Sequence, residues 1–248
     1  MCSECVTPSN WRPSWFEWQF TQPLNLNDRD SVHLDWGSGG RPTNPFASKK
    51  LFVADVNESH NKDDEFTYKK ISNLTSIDFA NSSIDSVSAY DLLEHIPRTW
   101  PDGDNGARYP FIEIMNEIYR ILKPGGIFLS VTPAYPSPQS FQDPTHVNFI
   151  TEETISYFDE NSWAKHLGYG LTANFEKIHQ SWLRGSGPLI GRFPNHTNLN
   201  EKISNSSLEL RLKHIKRFLR MSQRKNAYSL LWVLRKPCLG NQSEGKKV

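Results

Sequence analysis

The sequence predicts an α/β fold in which a largely parallel sheet is covered by helices on both faces. Two observations carry this prediction. Short apolar runs alternate with helical or turn-rich segments over much of the chain, which is typical of strands joined by right-handed crossovers. Two further apolar runs near the C-terminus lack a short crossover between them, so we expect an antiparallel strand pair at the edge of the sheet.

Seven runs have the length and composition of strands and are bounded by turn residues. The fifth is short and apolar, as expected for a strand that is buried on both faces. The predicted strands cover residues 32–35, 51–55, 66–72, 84–89, 127–132, 175–182 and 228–234.

Three segments have the pattern of helices. Between residues 110 and 122, apolar residues recur at intervals of three and four, and a Pro-Gly-Gly sequence ends this helix. Thr151, followed by two glutamates, is typical of a helix N-terminus, so we expect a helix from there to about His166. A basic amphipathic helix is expected near residues 207–224. Its ordinary role is to cover the sheet, and the alternative is contact with an anionic polymer, a phosphate-bearing substrate or a membrane surface.

Candidate ligand-binding residues follow the first two strands. Asp35 precedes the turn Gly37-Ser38-Gly39, where backbone amides can approach a ligand that a side chain would obstruct. Asp55 ends the second strand, 20 residues after Asp35, and a carboxylate there can accept both hydroxyls of a ribose. Taken alone, these features also fit an ordinary tight turn and a solvated carboxylate.

Three later segments follow this turn in order, at residues 77–87, 91–97 and 115–126. Together the four motifs resemble the class I S-adenosylmethionine-dependent methyltransferases of the type 11 group. The resemblance implies a Rossmann-like seven-stranded sheet, S-adenosyl-L-methionine as cofactor, and transfer of its methyl group to a nucleophile. By the same resemblance, the methionine part of the cofactor is held by Asp35, Gly37, Ser38 and Gly39, and the ribose by Asp55.

Asn73 and Asp91 complete the expected cofactor site. Asn73 stands where the family often has an aspartate that faces the adenine amino group, and its side-chain oxygen can accept the same hydrogen bond. Asp91 is expected near the sulfonium and the methyl group. Two features depart from the family pattern: Arg41 replaces a frequent glycine, and an insertion at residues 100–109 is either a cover for the substrate or a solvent loop.

The loop after the fifth strand contains the candidate catalytic residues. Its Asp-Pro-Thr-His segment at residues 143–146 resembles a subgroup of methyltransferases, some of which are associated with surface-polysaccharide loci. Methylation of a hydroxyl requires a general base, and we predict His146 for this role, with Asp143 orienting its imidazole and His95 as the second candidate. For either histidine, the alternative is a structural, hydrogen-bonded residue of a loop or helix start.

The length fits a single domain over residues 1–248. Residues 1–30 are expected to form a lid or strap, residues 31–182 the cofactor-binding core, and residues 183–248 a loop, the basic helix and the final strand. The net charge of +1 gives no strong nucleic-acid signal, and no apolar stretch reaches the ~18 residues of a transmembrane segment. No leader is apparent, so a cytoplasmic protein is expected.

The main hypothesis is methyl transfer to a hydroxyl of a small molecule or of a sugar unit of a surface polysaccharide. The alternatives are a methyltransferase that acts on a macromolecule and a non-catalytic cofactor-binding domain of the same fold. Methylation of base amino groups is disfavoured because a polar-Pro-Pro-aromatic motif is absent after the fourth strand. No metal site is predicted: Asp143 with His146, and Cys2 with Cys5, each offer two ligands, and neither pair makes a site.

Overall fold

The structure, a computed structural model, describes residues 31–39, 42–46, 48–56, 66–71, 73–103, 106–185 and 227–238. Three features considered above lie outside these ranges: the expected strap at residues 1–30, Arg41, and the expected basic helix at residues 207–224.

Seven strands form one mixed sheet with the spatial order β3-β2-β1-β4-β7-β9-β8. These strands are β1 (Val32–Trp36), β2 (Lys50–Asp55), β3 (Thr67–Lys70), β4 (Ile84–Tyr90), β7 (Leu122–Pro133), β8 (Glu176–Gly185) and β9 (Ala227–Arg235). The first five pair in parallel, whereas β9 is antiparallel to both β7 and β8. The predicted seven-stranded sheet with an antiparallel pair at its edge is therefore confirmed.

The insertion at residues 100–109 contains a separate two-stranded antiparallel hairpin, β5 (Trp100–Pro101) and β6 (Ala107–Arg108). Arg108 on β6 donates a 3.0 Å hydrogen bond from Nε to Glu113 on the helix that follows. The insertion therefore has regular structure that is fastened to its neighbouring helix.

The longest helix among the described residues, α1 (Pro110–Ile121), agrees with the predicted apolar periodicity. Its inward stripe is buried, and the chain passes directly from its end into β7. The buried members of that stripe are Phe111, Ile114, Met115, Ile118 and Ile121. Burial of an apolar side chain of this size contributes about 1.5–3 kcal/mol, so this face fixes α1 on the sheet.

The single helix predicted between Thr151 and His166 is wrong, although its N-terminus is correctly placed. A 3₁₀ helix (Glu152–Tyr157) begins at Thr151 with a capping box, and a separate short helix, α3 (Trp163–His166), follows. Ser162 has a left-handed φ of 48°, which an α-helix cannot contain. Two more short helical segments, a 3₁₀ helix (Leu93–His95) and α2 (Gln139–Gln142), lie in the loops after β4 and β7.

Candidate active site

Asp35 lies at the carboxyl-terminal half of β1 and is almost fully buried. Its Oδ1 accepts a 2.6 Å hydrogen bond from Ser88 Oγ, and its Oδ2 accepts a 2.8 Å bond from the Thr43 backbone amide. Burial raises the pKa of Asp35 to about 6, while these two hydrogen bonds act in the opposite direction. The carboxylate thus holds the loop after β1 against β4.

His33 is linked to Asp35 through the hydroxyl of Ser88. Its Nε2 lies 2.9 Å from Ser88 Oγ, and its Nδ1 lies 2.8 Å from Ser86 Oγ. Because the Ser88 hydroxyl donates its one proton to Asp35, it must accept from His33, which places the imidazole proton on Nε2. Burial lowers the pKa of His33 to about 3, so the ring is neutral. This series of buried hydrogen bonds was not predicted from the sequence.

The glycine turn requires glycine at Gly37. This residue has a φ of +80°, and a Cβ on it would lie 2.8 Å from Leu92 Cδ1 in the loop after β4. Its backbone amide donates to the Ala54 carbonyl at 2.7 Å, and the Gly39 amide donates to Asp55 Oδ2 at 2.9 Å. The turn is therefore connected to the end of β2 as well as to β4.

Asn73 lies in the segment after β3, as predicted, and its side chain is exposed. Its Oδ1 accepts hydrogen bonds from the Thr75 backbone amide at 2.9 Å and from Thr75 Oγ1 at 3.0 Å. This oxygen, proposed for adenine, therefore already has two local donors. A carboxamide oxygen has two lone pairs, so a third donor would have to displace one of these bonds.

Asp91, the first residue after β4, adopts the left-handed region with a φ of 48°. Its backbone amide donates to the Val131 carbonyl at 2.9 Å, which ties it to β7. Burial raises the pKa of Asp91 to about 6. A strained backbone and a largely buried carboxyl at a strand end are features that recur at functional sites.

The loops after β4 and β7 are joined by several hydrogen bonds. The backbone amides of Val147 and Asn148 both donate to the Glu94 carbonyl at 2.9 Å. The Asn148 carboxamide donates to the Leu93 carbonyl at 2.9 Å and accepts from Arg98 Nε at 2.6 Å. These contacts bring residues about 50 positions apart in the chain to the same place, and they set His146 opposite the 3₁₀ helix that carries His95.

The two candidate catalytic histidines are in contact. The rings of His95 and His146 meet edge to face, with centroids 4.8 Å apart. The Asp143 carboxylate does not hydrogen-bond the His146 ring, since its Oδ2 lies 4.0 Å from His146 Nε2, although the His146 backbone amide donates to the Asp143 carbonyl at 3.1 Å. It accepts from Thr145 instead, through the backbone amide at 2.8 Å and Oγ1 at 2.6 Å, and Thr145 Oγ1 lies 3.0 Å from His95 Nδ1. The carboxylate therefore orients His95 through Thr145.

Glu94 is a site residue that the sequence analysis did not single out. Its side chain is 1% exposed, and its Oε2 accepts a 2.8 Å bond from Thr132 Oγ1. Its Oε1 lies 4.0 Å from His146 Nε2, and neither this oxygen nor Nδ1 of His146 has a hydrogen-bond partner among the described residues. Burial, then the nearby charge of Asp91, raises the pKa of Glu94 to about 8. Its position in the sequence between Asp91 and His95 was the signal that could have identified it as a site residue.

A family model described as a methyltransferase domain matches residues 14–180, which is more than half of the chain. The chain belongs to this methyltransferase domain family. No curated protein sequence matches it.

Solved structures of methyltransferases share the fold of this methyltransferase domain. A candidate methyltransferase (BH2331) from Bacillus halodurans C-125 is 18% identical, with a TM-score of 0.50 over 84% of this chain and 93% of its own. An S-adenosylmethionine-dependent methyltransferase from Archaeoglobus fulgidus is 15% identical, with a TM-score of 0.47 over 84% and 87%. The Haemonchus contortus phosphoethanolamine N-methyltransferase 2, in complex with S-adenosyl-L-methionine, is 17% identical, with a TM-score of 0.48 over 95% and 54%. The family match and the Bacillus halodurans structure confirm the recognised class I fold.

S-adenosyl-L-methionine is the cofactor of class I methyltransferases, and the glycine turn of this domain fits such a ligand. Ser38 Oγ is buried and lacks a hydrogen-bond partner within the described ranges, as expected for a group whose partner is a ligand. Gly37 keeps the space beside Leu92 free of a side chain. None of the helices in the described ranges has the length and apolar character of a membrane span.

Proposed function

We propose that this methyltransferase domain transfers the methyl group of S-adenosyl-L-methionine to a hydroxyl of a small molecule or of a sugar unit of a surface polysaccharide. The observation that carries the proposal is the contact of His95 with His146 in the loops that follow β4 and β7. A sugar hydroxyl is a poor nucleophile at neutral pH, so its methylation requires a group that accepts its proton or lowers its pKa.

The cofactor residues act as a continuous cradle in this proposal. Asp35, Ser38 and the turn glycines Gly37 and Gly39 hold the methionine part, and Asp55 holds the ribose. The hydrogen bond from the Gly39 amide to Asp55 Oδ2 supports this, because it links the two halves of the cradle. Asn73 faces the adenine, and Asp91 lies beside the methyl-bearing end.

On the acceptor side, His95 is the better-oriented base. The carbonyl of Thr145, 3.3 Å from His95 Nδ1, can only accept a hydrogen bond, so the proton of the neutral ring is on Nδ1 and Nε2 has a free lone pair. Burial, together with the charge of His146, lowers the pKa of His95, which keeps the ring neutral. We assign His146 to holding the acceptor next to it and Asp143 to positioning His95.

Three aromatic side chains in the loop after β7, which also carries His146, support an acceptor that contains a ring. Tyr135, Phe141 and Phe149 are 50%, 51% and 44% exposed, and the rings of Phe141 and Phe149 lie 4.8 Å apart. Clustered exposed aromatic side chains often mark a binding surface. The substitution Phe141→Ala should raise KM for a ring-containing acceptor without weakening cofactor binding. The equally exposed Trp163 on α3 provides the control, Trp163→Ala.

The first experiment is titration calorimetry of the full chain with S-adenosyl-L-methionine, its demethylated product, and NAD as a negative control. Saturable binding of the first two alone, followed by label transfer from methyl-labelled cofactor to nucleotide sugars, glycans or small hydroxylated compounds, is the expected result. Binding without transfer to any hydroxyl acceptor would favour a non-catalytic cofactor-binding domain. Transfer only to a protein or nucleic acid would overturn the proposed acceptor class.

A further inference from the structure

We propose that Glu94, His95 and His146 bind a divalent transition-metal cation, and that this cation activates the acceptor hydroxyl. The binding itself stands on the geometry of these three residues. Its role in activating a hydroxyl rests on the proposed function. The cation site differs from the pairs considered from sequence alone, because its third ligand is the buried Glu94.

The ligand atoms are close enough for one cation to bridge them after small side-chain movements. One nitrogen or oxygen atom from each residue lies within 4.8 Å of the others, and His146 Nε2 lies 4.0 Å from Glu94 Oε1. Ligands at about 2.1 Å from a tetrahedral metal lie about 3.4 Å apart. The Glu94–His146 pair would have to close by about 0.6 Å and the most distant pair by at most about 1.4 Å, which side-chain rotation can supply.

The carboxylate oxygen that faces His146 is unsatisfied. Within the part of the chain that the structure describes, Glu94 Oε1 has no hydrogen-bond partner although the side chain is 1% exposed. Leaving a buried polar atom unpaired destabilises a fold, and a bound cation would remove that cost.

In both Glu94 and His95, hydrogen bonds from the protein occupy one atom of the side chain and leave the other atom available to the cation. Thr132 Oγ1 donates to Glu94 Oε2 at 2.8 Å, which leaves Oε1 for the cation. Thr145 occupies Nδ1 of His95, which leaves the Nε2 lone pair. Hydrogen bonds of this kind fix the tautomer and the ring orientation of metal-binding histidines and are typical of real metal sites.

The donor set selects the class of cation. Two imidazoles and one carboxylate suit zinc and its first-row neighbours, whereas calcium and magnesium prefer sites made of oxygen alone. Three protein ligands leave at least one position open for an acceptor oxygen. Coordination there would lower the pKa of the hydroxyl, as metals do for bound water. With the cation bound, His95 is a ligand and not the base. The hydroxyl proton leaves to solvent, an oxygen lone pair forms the bond to the methyl carbon, and the electrons of the broken carbon–sulfur bond stay on sulfur.

The test uses the full chain after treatment with a chelator, titrated with Co²⁺ and followed by visible absorption, and with Zn²⁺ in a calorimeter. We expect one cation per chain with a cobalt spectrum typical of nitrogen and oxygen ligands. Glu94→Gln, which keeps the shape of the buried side chain, and His146→Ala should each weaken binding at least tenfold. His166→Ala removes an exposed histidine outside the cluster and should leave binding unchanged. Circular dichroism checks that each variant is folded.

Three results would overturn the metal site. They are no saturable binding by the folded chain, wild-type affinity in both Glu94→Gln and His146→Ala, or a cobalt spectrum dominated by thiolate ligands. Cofactor binding is measured separately on the chelator-treated chain. Binding of S-adenosyl-L-methionine there, with methyl transfer that persists in excess chelator, would preserve the proposed function and refute the role of the cation. Loss of cofactor binding together with intact cobalt binding would preserve the metal site and refute the proposed function.

Discussion

The hydroxyl oxygen of Thr145 lies 3.0 Å from Nδ1 of His95, and this contact fixes which nitrogen of the neutral His95 ring carries the proton. The hydroxyl donates its own proton to Asp143 at 2.6 Å, so it must accept from the imidazole. The lone pair of His95 is therefore on Nε2. Whether this nitrogen removes a proton or binds a cation, the same short chain of hydrogen bonds prepares it.

Nitrogen NMR of the histidine side chains tests this chain without an acceptor substrate. In the chelator-treated protein at pH 7.5, His95 should be in the Nδ1–H tautomer. Thr145→Val should yield a mixture of tautomers because Nδ1 loses one of its two acceptors, whereas Thr145→Ser should retain the wild-type state. A wild-type His95 protonated on Nε2 would contradict the assignment, and the exposed His166 serves as the reference ring.

Asp55 provides a prediction about cofactor affinity. We propose that its carboxylate accepts the ribose hydroxyls, and it already accepts a hydrogen bond from the Gly39 amide. Asp55→Ala should weaken binding of S-adenosyl-L-methionine about tenfold or more, since hydrogen bonds to charged groups contribute about 1.5–3 kcal/mol. Calorimetry measures this, and the exposed Asp78, changed to alanine, is the matched control. Unchanged affinity in a folded Asp55 variant would remove Asp55 from the site.

The sequence predicted the sheet and α1 because their information is local. Apolar periodicity and a Pro-Gly-Gly stop signal were sufficient for Pro110–Ile121. The segment after Thr151 has an equally clear N-terminus, but the left-handed Ser162 divides it, and no local pattern announces that conformation. Tertiary packing, rather than helix propensity, determines the structure there.

The candidate site was only partly predictable for the same reason. The predicted strands correctly put Asp35, Asp55 and Asp91 at or next to strand ends. They also put the two histidines in the loops that follow two neighbouring strands. The contact between His95 and His146 depends on Asn148, which joins two loops through buried hydrogen bonds. Glu94 resembles any helix-start carboxylate until its burial and its unpaired oxygen are seen.

The two glycines of the turn should respond differently to alanine. Both have a positive φ, +80° at Gly37 and +57° at Gly39, so both substitutions strain the backbone by about 1–2 kcal/mol. Only at Gly37 would the new Cβ meet Leu92, at 2.8 Å, while nothing lies within 4 Å at Gly39. Urea denaturation should therefore show a larger loss of unfolding free energy for Gly37→Ala. Equal losses would mean that the loop after β4 yields without cost.

The buried His33 predicts a specific response of stability to acid. Its pKa is about 3 in the fold and 6.5 in an unfolded chain, because burial disfavours the charged ring. Its contribution to the free energy of unfolding is complete above pH 6.5 and is lost progressively as the pH falls toward 3, since the unfolded chain binds the proton first. At pH 5 the loss from this residue should be about 2 kcal/mol, at about 1.4 kcal/mol for each pH unit.

Asp35 acts in the opposite direction, so the effect is best measured as a difference between two proteins. The pKa of Asp35 is raised to about 6, and the cost of its ionised form in the fold is relieved as the pH falls below that value. His33→Gln removes the histidine term and keeps Asp35. Urea denaturation at pH 7 and pH 5 should show the stability advantage of the wild type over His33→Gln shrinking by about 2 kcal/mol, whereas the exposed His166→Gln should show no such change. A constant difference between wild type and His33→Gln at both pH values would mean that folding does not lower the pKa of His33, so that the folded protein carries a charged imidazole at pH 5. Both ring nitrogens would then donate, which would reverse the hydrogen bond with Ser86 and leave the one to Ser88 unchanged.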